Sequence, residues 1–262
     1  MAHVHALTLY PIKGCAGVAV DRAELTPAGP AGDRLFAVVG VDGSTQWQGE
    51  LPRLALVRGR VLREGAELEL SAPGAGELVL TVVTGGATRP VAVEKWPDTG
   101  IDQGDEAAAW LSEVVGKPVR LVREPDRAAR AAAGTDPTAV HVLSLSSADD
   151  LNARIAERGG NPVALERFRP NVVVSGWPEP CTEDRAERMA VGGAELGFGE
   201  LAVRCAVTLV DQDEGVRAGP EPLRTLATYR RGPDGVVFGL KAAVLRPGTI
   251  AVGDDVTITG WR

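Results

Sequence analysis

Turn dipeptides fall about every ten residues through the first hundred positions, and the apolar runs between them are the length of β-strands rather than helices. Residues 4–12 read as a strand that breaks at Lys13-Gly14, and RLFAVVG, starting at Arg34, runs into the hairpin signal Asp42-Gly43. Residues 54–62 and 66–70 flank Glu64-Gly65, and ELVLTVV (77–83) and PVAVEKW (90–96) add further short strands. The period changes at DQGDEAAAWLSEVVGKP, where Trp110, Leu111, Val114 and Val115 take helical spacing. Acidic residues open that helix, and Gly116 and Pro118 stop it.

A second β-rich stretch follows. After PVRLV (118–122), the polar, Ala-rich REPDRAARAAAGTDPT predicts a linker or loop dividing residues 1–124 from 125–262, a split that suits a chain of 262 residues. VHVLSL (140–145) reads as a strand. Ser147 to Asp150 reads as a capping box with Asp in the place of Glu, opening a helix that carries Leu151 and Ile155 and ends at Gly159-Gly160. Val172–Val174 reads as a buried strand, Gly192-Gly193 and Gly197 to Gly199 as hairpin turns, and EPLRTLATYR (221–230) as a helix with Pro222 in its first position. The expected class is mostly β with flanking helices (α+β).

The most informative chemistry lies in LAVRCAVTLVDQDEG (201–215), an apolar run carrying a cysteine and ending in an acidic turn. A thiolate there could ligate a soft metal or act as a nucleophile, with Arg204 lowering its pKa. Strand alternation argues the other way. It puts Val203, Cys205, Val207 and Leu209 on one face and Arg204 on the other, the pattern of an inert core thiol. Cys15, Cys181 and Cys205 are an odd set without regular spacing, which suggests a reducing compartment and cannot supply the four thiolates of an iron–sulfur cluster.

Other chemistries lack their residues. His3, His5 and His141 form no zinc-binding spacing, and the glycine motifs of serine hydrolases, P-loops and dinucleotide folds are missing. DQDEG (211–215) and DTGIDQGD (98–105) fall short of a calcium-loop pattern and read as solvated turns. With 28 basic and 35 acidic residues and a net charge of −7, neither nucleic acid nor an anionic membrane surface is an expected partner. The N-terminus lacks a signal-peptide pattern and no run approaches a membrane span, so the expected location is the cytoplasm. In an acidic protein, Lys13, Arg34, Arg167, Arg169 and Arg204 stand out because each adjoins a strand end or turn. Were they to converge, they would make a local anion site.

Eight stretches in one order now bear on identity: YPIKGCAGV (10–18), GDRLFAVV (32–39), LPRLALV (51–57), SSADDLN (146–152), RFRPNVVVSG (167–176), RCAVTLVDQDEG (204–215), PLRTLATYR (222–230) and PGTIAVGD (247–254). Along nearly its full length the chain resembles the MOSC-domain proteins with their N-terminal MOSC β-barrel partner. That group includes the C-terminal part of molybdenum cofactor sulfurases and the mitochondrial amidoxime reducing component. RFRPN and the Cys205 block are the most distinctive matches.

The resemblance implies an N-terminal β-barrel-like domain over 1–124 and a MOSC β-barrel-like domain over 125–262. It also implies a molybdenum cofactor (Mo-molybdopterin) bound through its dithiolene and one protein thiolate. Cys205 matches the metal ligand and catalytic centre. Lys13, Arg34, Arg169 and Arg204 match positions that hold the pterin and its phosphate; Gly14, Asn171 and Thr208 complete the cofactor-binding set, and Asp211 anchors the following turn. The implied activity is removal of oxygen from N-hydroxylated or N-oxygenated small molecules, with electrons from a separate iron–sulfur or flavin/haem protein. One alternative is a non-redox carrier of the cofactor or of sulfur on Cys205, and another is a β-barrel binding domain that holds no metal. Three departures accompany the match: Gly14 where serine is frequent, Trp47 near an expected arginine, suggesting a more enclosed pocket, and Leu209 where threonine is frequent. Pyridoxal phosphate belongs to this family through the desulfurase half of the sulfurases, which nothing in this chain resembles.

Overall fold

The computed structural model describes residues 1–262 except 97, 126–131 and 133, so the expected linker lies in part outside the described residues. Strands dominate, with the helices Asp105–Val115 and Leu145–Glu157 and the short turn of helix Leu223–Leu226 on their flanks, in agreement with the expected class. The sheets are mixed and open rather than closed barrels. Among the described residues the largest has nine strands, in the order Val256–Trp261, Ala186–Val191, Ala194–Val203, Gly235–Arg246, Val140–Ser144, Val172–Ser175, His3–Leu9 and Val18–Val20, with Arg231–Gly232 beside Gly235–Arg246. An isolated bridge between His3 and Asp255 sets the start of His3–Leu9 beside the residue that precedes Val256–Trp261.

Val140–Ser144 and Val172–Ser175 pair in parallel, and the crossover between them is the helix Leu145–Glu157. Every residue of Val140–Ser144 is buried, the polar His141 and Ser144 along with Val140, Val142 and Leu143. Val4, Leu7, Val142, Val174, Leu196 and Leu240 fill the core of this sheet. A second core gathers Ile12, Phe36, Val38, Leu54 and Leu121 under Leu111, Val114 and Val115 of the first helix. That helix ends as its sequence predicts, on Gly116 at φ 74°, whose N–H donates to the Ser112 carbonyl.

The two halves of the sequence interleave in space. His3–Leu9 and Val18–Val20 belong to the sheet of the C-terminal half, whereas Ile12–Lys13 pairs with Phe36–Gly40 in a five-stranded sheet. The chain crosses between the sheets at Tyr10–Lys13. That crossing is tied down by bonds from Tyr10 N to Asp33, from Arg34 N to the Tyr10 carbonyl and from Phe36 N to the Pro11 carbonyl.

Several local expectations change. The strand through the cysteine stops at Val203. Arg204 N still donates to the Val236 carbonyl, but the Cys205 carbonyl accepts from both the N–H and the hydroxyl of Thr208, which folds Ala206–Leu209 into a 3-10 turn. The core-thiol reading therefore fails, and Cys205 is exposed. The second helix starts earlier than Ser147, because Ser144 accepts the Ser147 N–H and is the cap. Of EPLRTLATYR only Leu223–Leu226 is helical, with Pro222 at the cap, and PVAVEKW contributes no strand beyond Pro90 and turns at Val93–Trp96. Gly192-Gly193 is a hairpin turn, but Gly197 and Gly199 lie within the strand Ala194–Val203. A Cβ on Gly199 would stand 1.7 Å from the Pro137 carbonyl oxygen, so this position requires glycine.

Candidate functional site

A cleft of about 450 Å³ opens where the Tyr10–Lys13 crossing meets the RFRPN segment and the end of the Ala194–Val203 strand. Of the residues singled out from sequence, it brings together Lys13, Arg34, Arg169, Asn171, Arg204 and Cys205. Gly14 and Thr208 do not line it. Gly14, at φ +83°, packs beneath Gln46 and Trp47, and Thr208 is fully buried, holding the Cys205 carbonyl. Trp47 is outside the lining as well; its ring packs on Gly49, so it does not enclose the cleft. Arg167 also points elsewhere, donating to Asp211 at 2.8 Å. Asp211 in turn accepts the N–H groups of Asp213 and Glu214, which makes DQDEG a closed turn.

The cations fall into two kinds. Around the cleft, Lys13 meets Glu94 at 3.7 Å, Lys95 meets Asp136 at 3.0 Å, Lys241 meets Glu200 at 2.7 Å, and Arg34 meets Asp33. Arg169 and Arg204 make no ion pair with a carboxylate among the described residues. Arg169 donates to the Cys15 carbonyl and lies over the Tyr10 ring; Arg204 donates to the Phe168 carbonyl at 2.7 Å and its Nε is buried without a partner. Burial lowers the pKa of both guanidiniums, that of Arg204 to about 10. Burial also lowers the pKa of the Lys13 amine, opposed by Glu94 and reinforced by Arg34. Buried positive charge without a counter-ion is costly unless an anion completes it.

Backbone strain gathers at the same place. Six non-glycine residues among those described have positive φ, and three of them, Arg34 (51°), Lys95 (67°) and Arg169 (58°), line the cleft. A left-handed non-glycine residue costs on the order of 1–3 kcal/mol and tends to persist where function fixes it. Cys205 stands exposed at this cleft, between Val203 and Val207 in sequence, as a free thiol.

Some lining residues carried little sequence signal. Trp96 and Lys95 sit in a run read as a strand, Lys241 and Glu200 lie in ordinary strand positions, and Asp33 precedes Arg34 inside a turn. His141, inside the strand Val140–Ser144, lines the cleft as well. Its Nδ1 lies 3.2 Å from the Arg169 carbonyl, an acceptor, so Nδ1 carries the proton and Nε2 is left buried without a partner.

Burial, then the charges of Arg204 and Arg34, hold the His141 pKa well below 6.5. The unfolded chain takes up a proton near pH 6.5 and the native ring does not, so this group lowers stability as pH falls below 6.5, by up to about 1.4 kcal/mol per pH unit. His141→Gln keeps a donor for the Arg169 carbonyl but does not titrate. Urea midpoints between pH 6.5 and 5 are expected to decline less steeply in the variant, and equal slopes would refute the assignment.

Comparison with known proteins places this geometry. Residues 1–118 match the MOSC N-terminal beta barrel domain and residues 129–257 match the MOSC domain. The chain is 32% identical to human mitochondrial amidoxime-reducing component 1, over 98% of this chain and 83% of that protein. It is 33% identical to bovine mitochondrial amidoxime reducing component 2, over 97% of this chain and 82% of that protein. A rice molybdenum cofactor sulfurase is 29% identical over 98% of this chain, which spans 34% of the sulfurase. The chain therefore belongs to the MOSC-domain proteins, with a MOSC N-terminal beta barrel domain followed by a MOSC domain, in the family of the amidoxime-reducing components.

Proposed function

We propose that the cleft holds a molybdenum cofactor and that the protein reduces N-hydroxylated or related N-oxygenated small molecules. The observation that carries this reading is the presence of two half-buried guanidiniums without carboxylate partners among the described residues and an exposed cysteine thiol in one cleft. The donor set suits such a group. No cluster of three or more His, Cys, Asp or Glu side chains able to hold a metal ion occurs among the described residues, so a metal would arrive with ligands of its own and take one soft sulfur from the protein. The orphaned Arg204 Nε and the fork of Arg169 suit a phosphate, and Lys13 and Arg34 add positive charge at the same end. The amidoxime-reducing components in the family support the same direction.

When bound, the group would supply a centre that accepts oxygen and two electrons' worth of redox change; overall, N–OH with two electrons and two protons gives N–H and water. The protein's part is positioning. Arg169 and Arg204 hold the anionic end, and Cys205, flanked in the lining by the apolar Val203 and Val207, offers its exposed sulfur. Electrons would come from a separate donor protein of iron–sulfur or flavin/haem type, a reading consistent with the lack of any cluster of three or more His, Cys, Asp or Glu side chains among the described residues. No helix among the described residues is long and apolar enough to cross a membrane.

The test is molybdenum and pterin content after expression in a host that makes the cofactor, followed by reduction of an amidoxime with a chemical or protein donor. Near-stoichiometric metal with turnover is the expected result. A metal-free protein carrying a reductant-sensitive persulfide on Cys205 would favour the sulfur-carrier alternative instead. Trp96 is the partly exposed aromatic side chain of the lining, the other, Phe168, being fully buried against Phe238. Trp96→Ala is expected to raise KM for a flat aromatic amidoxime about tenfold while leaving kcat and the KM for a small aliphatic N-hydroxy compound little changed. Equal effects on both substrates would remove Trp96 from substrate contact.

A further inference from the structure

The anion end of the cleft contains an arrangement that hydrogen bonds alone do not explain. The guanidinium carbons of Arg169 and Arg34 lie 4.2 Å and 5.4 Å from the centroid of one ring, that of Tyr10. Two like charges are thus held close together on one buried ring, both guanidiniums being half-buried, and Arg34 depresses the Arg169 pKa beyond the effect of burial. Tyr10 is 2% exposed, and its own pKa is raised to about 12 by burial despite both arginines, so it stays a neutral phenol.

The ring is fixed from several sides. Its hydroxyl donates to the Pro170 carbonyl at 3.3 Å, its backbone N–H donates to Asp33 at 2.7 Å, and Gly17 makes room for it, since a Cβ there would come within 2.6 Å of the ring. Both arginines reach it from left-handed backbone, at φ 58° and 51°. A carboxylate in place of the ring would hold two guanidiniums more tightly. Arg34 already has one such partner in Asp33, and a second carboxylate would also cancel the charge of Arg169 and take the N–H groups that an incoming anion needs. The negative face of an aromatic ring attracts a guanidinium without occupying its in-plane donors.

We propose that Tyr10 is the positioning residue of the anion end: its ring holds Arg34 and Arg169 together in the cleft and takes none of the guanidinium donors that remain, beyond those given to Asp33, Asn171 and the Cys15 carbonyl, to grip a phosphate. This deepens the reading of the cleft as the site of a phosphate-bearing cofactor. The role belongs to the ring, and the phenol oxygen only sets its orientation. Tyr10→Phe therefore keeps the function and Tyr10→Leu loses it.

The experiment is calorimetric titration of the full chain, purified from a host that cannot make the cofactor, with inorganic pyrophosphate as the probe. Wild type and Tyr10→Phe are expected to bind within twofold of each other and Tyr10→Leu at least tenfold more weakly. The proposal is overturned if the Leu variant binds like wild type, if the Phe variant loses as much as the Leu variant, or if wild type does not bind at all. Should Tyr10→Leu fail to fold, nitrogen-15 spectra of the wild type decide. The Arg169 Nε–H signal is expected to be shifted by the ring current and to move with pyrophosphate, and a signal with neither property overturns the proposal. Ring-dependent pyrophosphate binding in a protein that takes up no molybdenum from a competent host would sink the cofactor reading and leave this one standing.

Discussion

Replacing Cys205 by alanine is expected to lower amidoxime turnover on the order of 10³-fold or more, the scale seen when a group acting at the reacting centre is removed, while the fold stays as it was. The side chain is exposed and the turn it opens is held by its backbone carbonyl, which Thr208 grips through both its N–H and its hydroxyl. Nothing in the packing depends on the sulfur, so the unfolding free energy should change by no more than about 0.5 kcal/mol. Cys205→Ser is the sharper comparison. It preserves shape and the turn but offers a hard oxygen to a site that the donor chemistry assigns to a soft metal, and activity should stay near the alanine level. Full turnover by either variant would end the ligand assignment, and a cooperative transition shifted by several degrees would mean that the thiol is part of the scaffold.

That prediction rests on a position where alternation misled the sequence reading. Val203, Cys205, Val207 and Leu209 keep a strand's period, yet the strand ends at Val203. What ends it is the Thr208 hydroxyl competing for the Cys205 carbonyl, a local side-chain bond that hydrophobic pattern does not register. The same limit explains the second helix, whose cap is Ser144 rather than the Ser147 of the apparent capping box. Helix Asp105–Val115 was legible to its last residue because its period, acidic first turn and terminal glycine agree. Strand Val140–Ser144 was legible because Val140, Val142 and Leu143 supply β-strand formers and apolar side chains for the burial it meets on both faces. The convergence of Lys13, Arg34, Arg169 and Arg204 was not legible from spacing; the motif resemblance suggested it. Spacing cannot show that His3–Leu9 leaves its sequence neighbours to join the C-terminal sheet, and it is this crossing that carries Lys13 to the cleft and Tyr10 beneath its arginines. Trp96 stayed hidden for the opposite reason: the run PVAVEKW looks like a strand, and what makes it a turn is Lys95 reaching Asp136 and Thr138 in the other half of the sequence.

Asn171→Leu is expected to be the most destabilising single change in the cleft, by about 3 kcal/mol or more, because it removes a junction rather than a contact. The side chain is 3% exposed and its hydrogen-bonding capacity is filled within the protein. Nδ2 donates to the Thr8 carbonyl and to Asp33, each at 3.1 Å, and Oδ1 accepts the His141 N–H at 3.2 Å and the Arg34 guanidinium at 3.4 Å. Four segments distant in sequence thus meet on one amide: the first strand, the Asp33-Arg34 turn, the Val140–Ser144 strand and the RFRPN loop. Leucine has nearly the same volume and leaves a buried N–H, a buried carbonyl and a buried carboxylate short of a partner. For a chain of this size the loss corresponds to a fall in Tm of roughly 6–12 °C. Asn171→Asp separates shape from chemistry. It keeps the acceptor for His141 and Arg34 but gives up both donors and sets a second carboxylate against Asp33, so it should be as damaging near neutral pH and partly relieved as pH falls and a proton is shared between the two. Thermal unfolding across pH measures this directly. A Tm within about 2 °C of wild type for Asn171→Leu would show that the amide is not part of the frame.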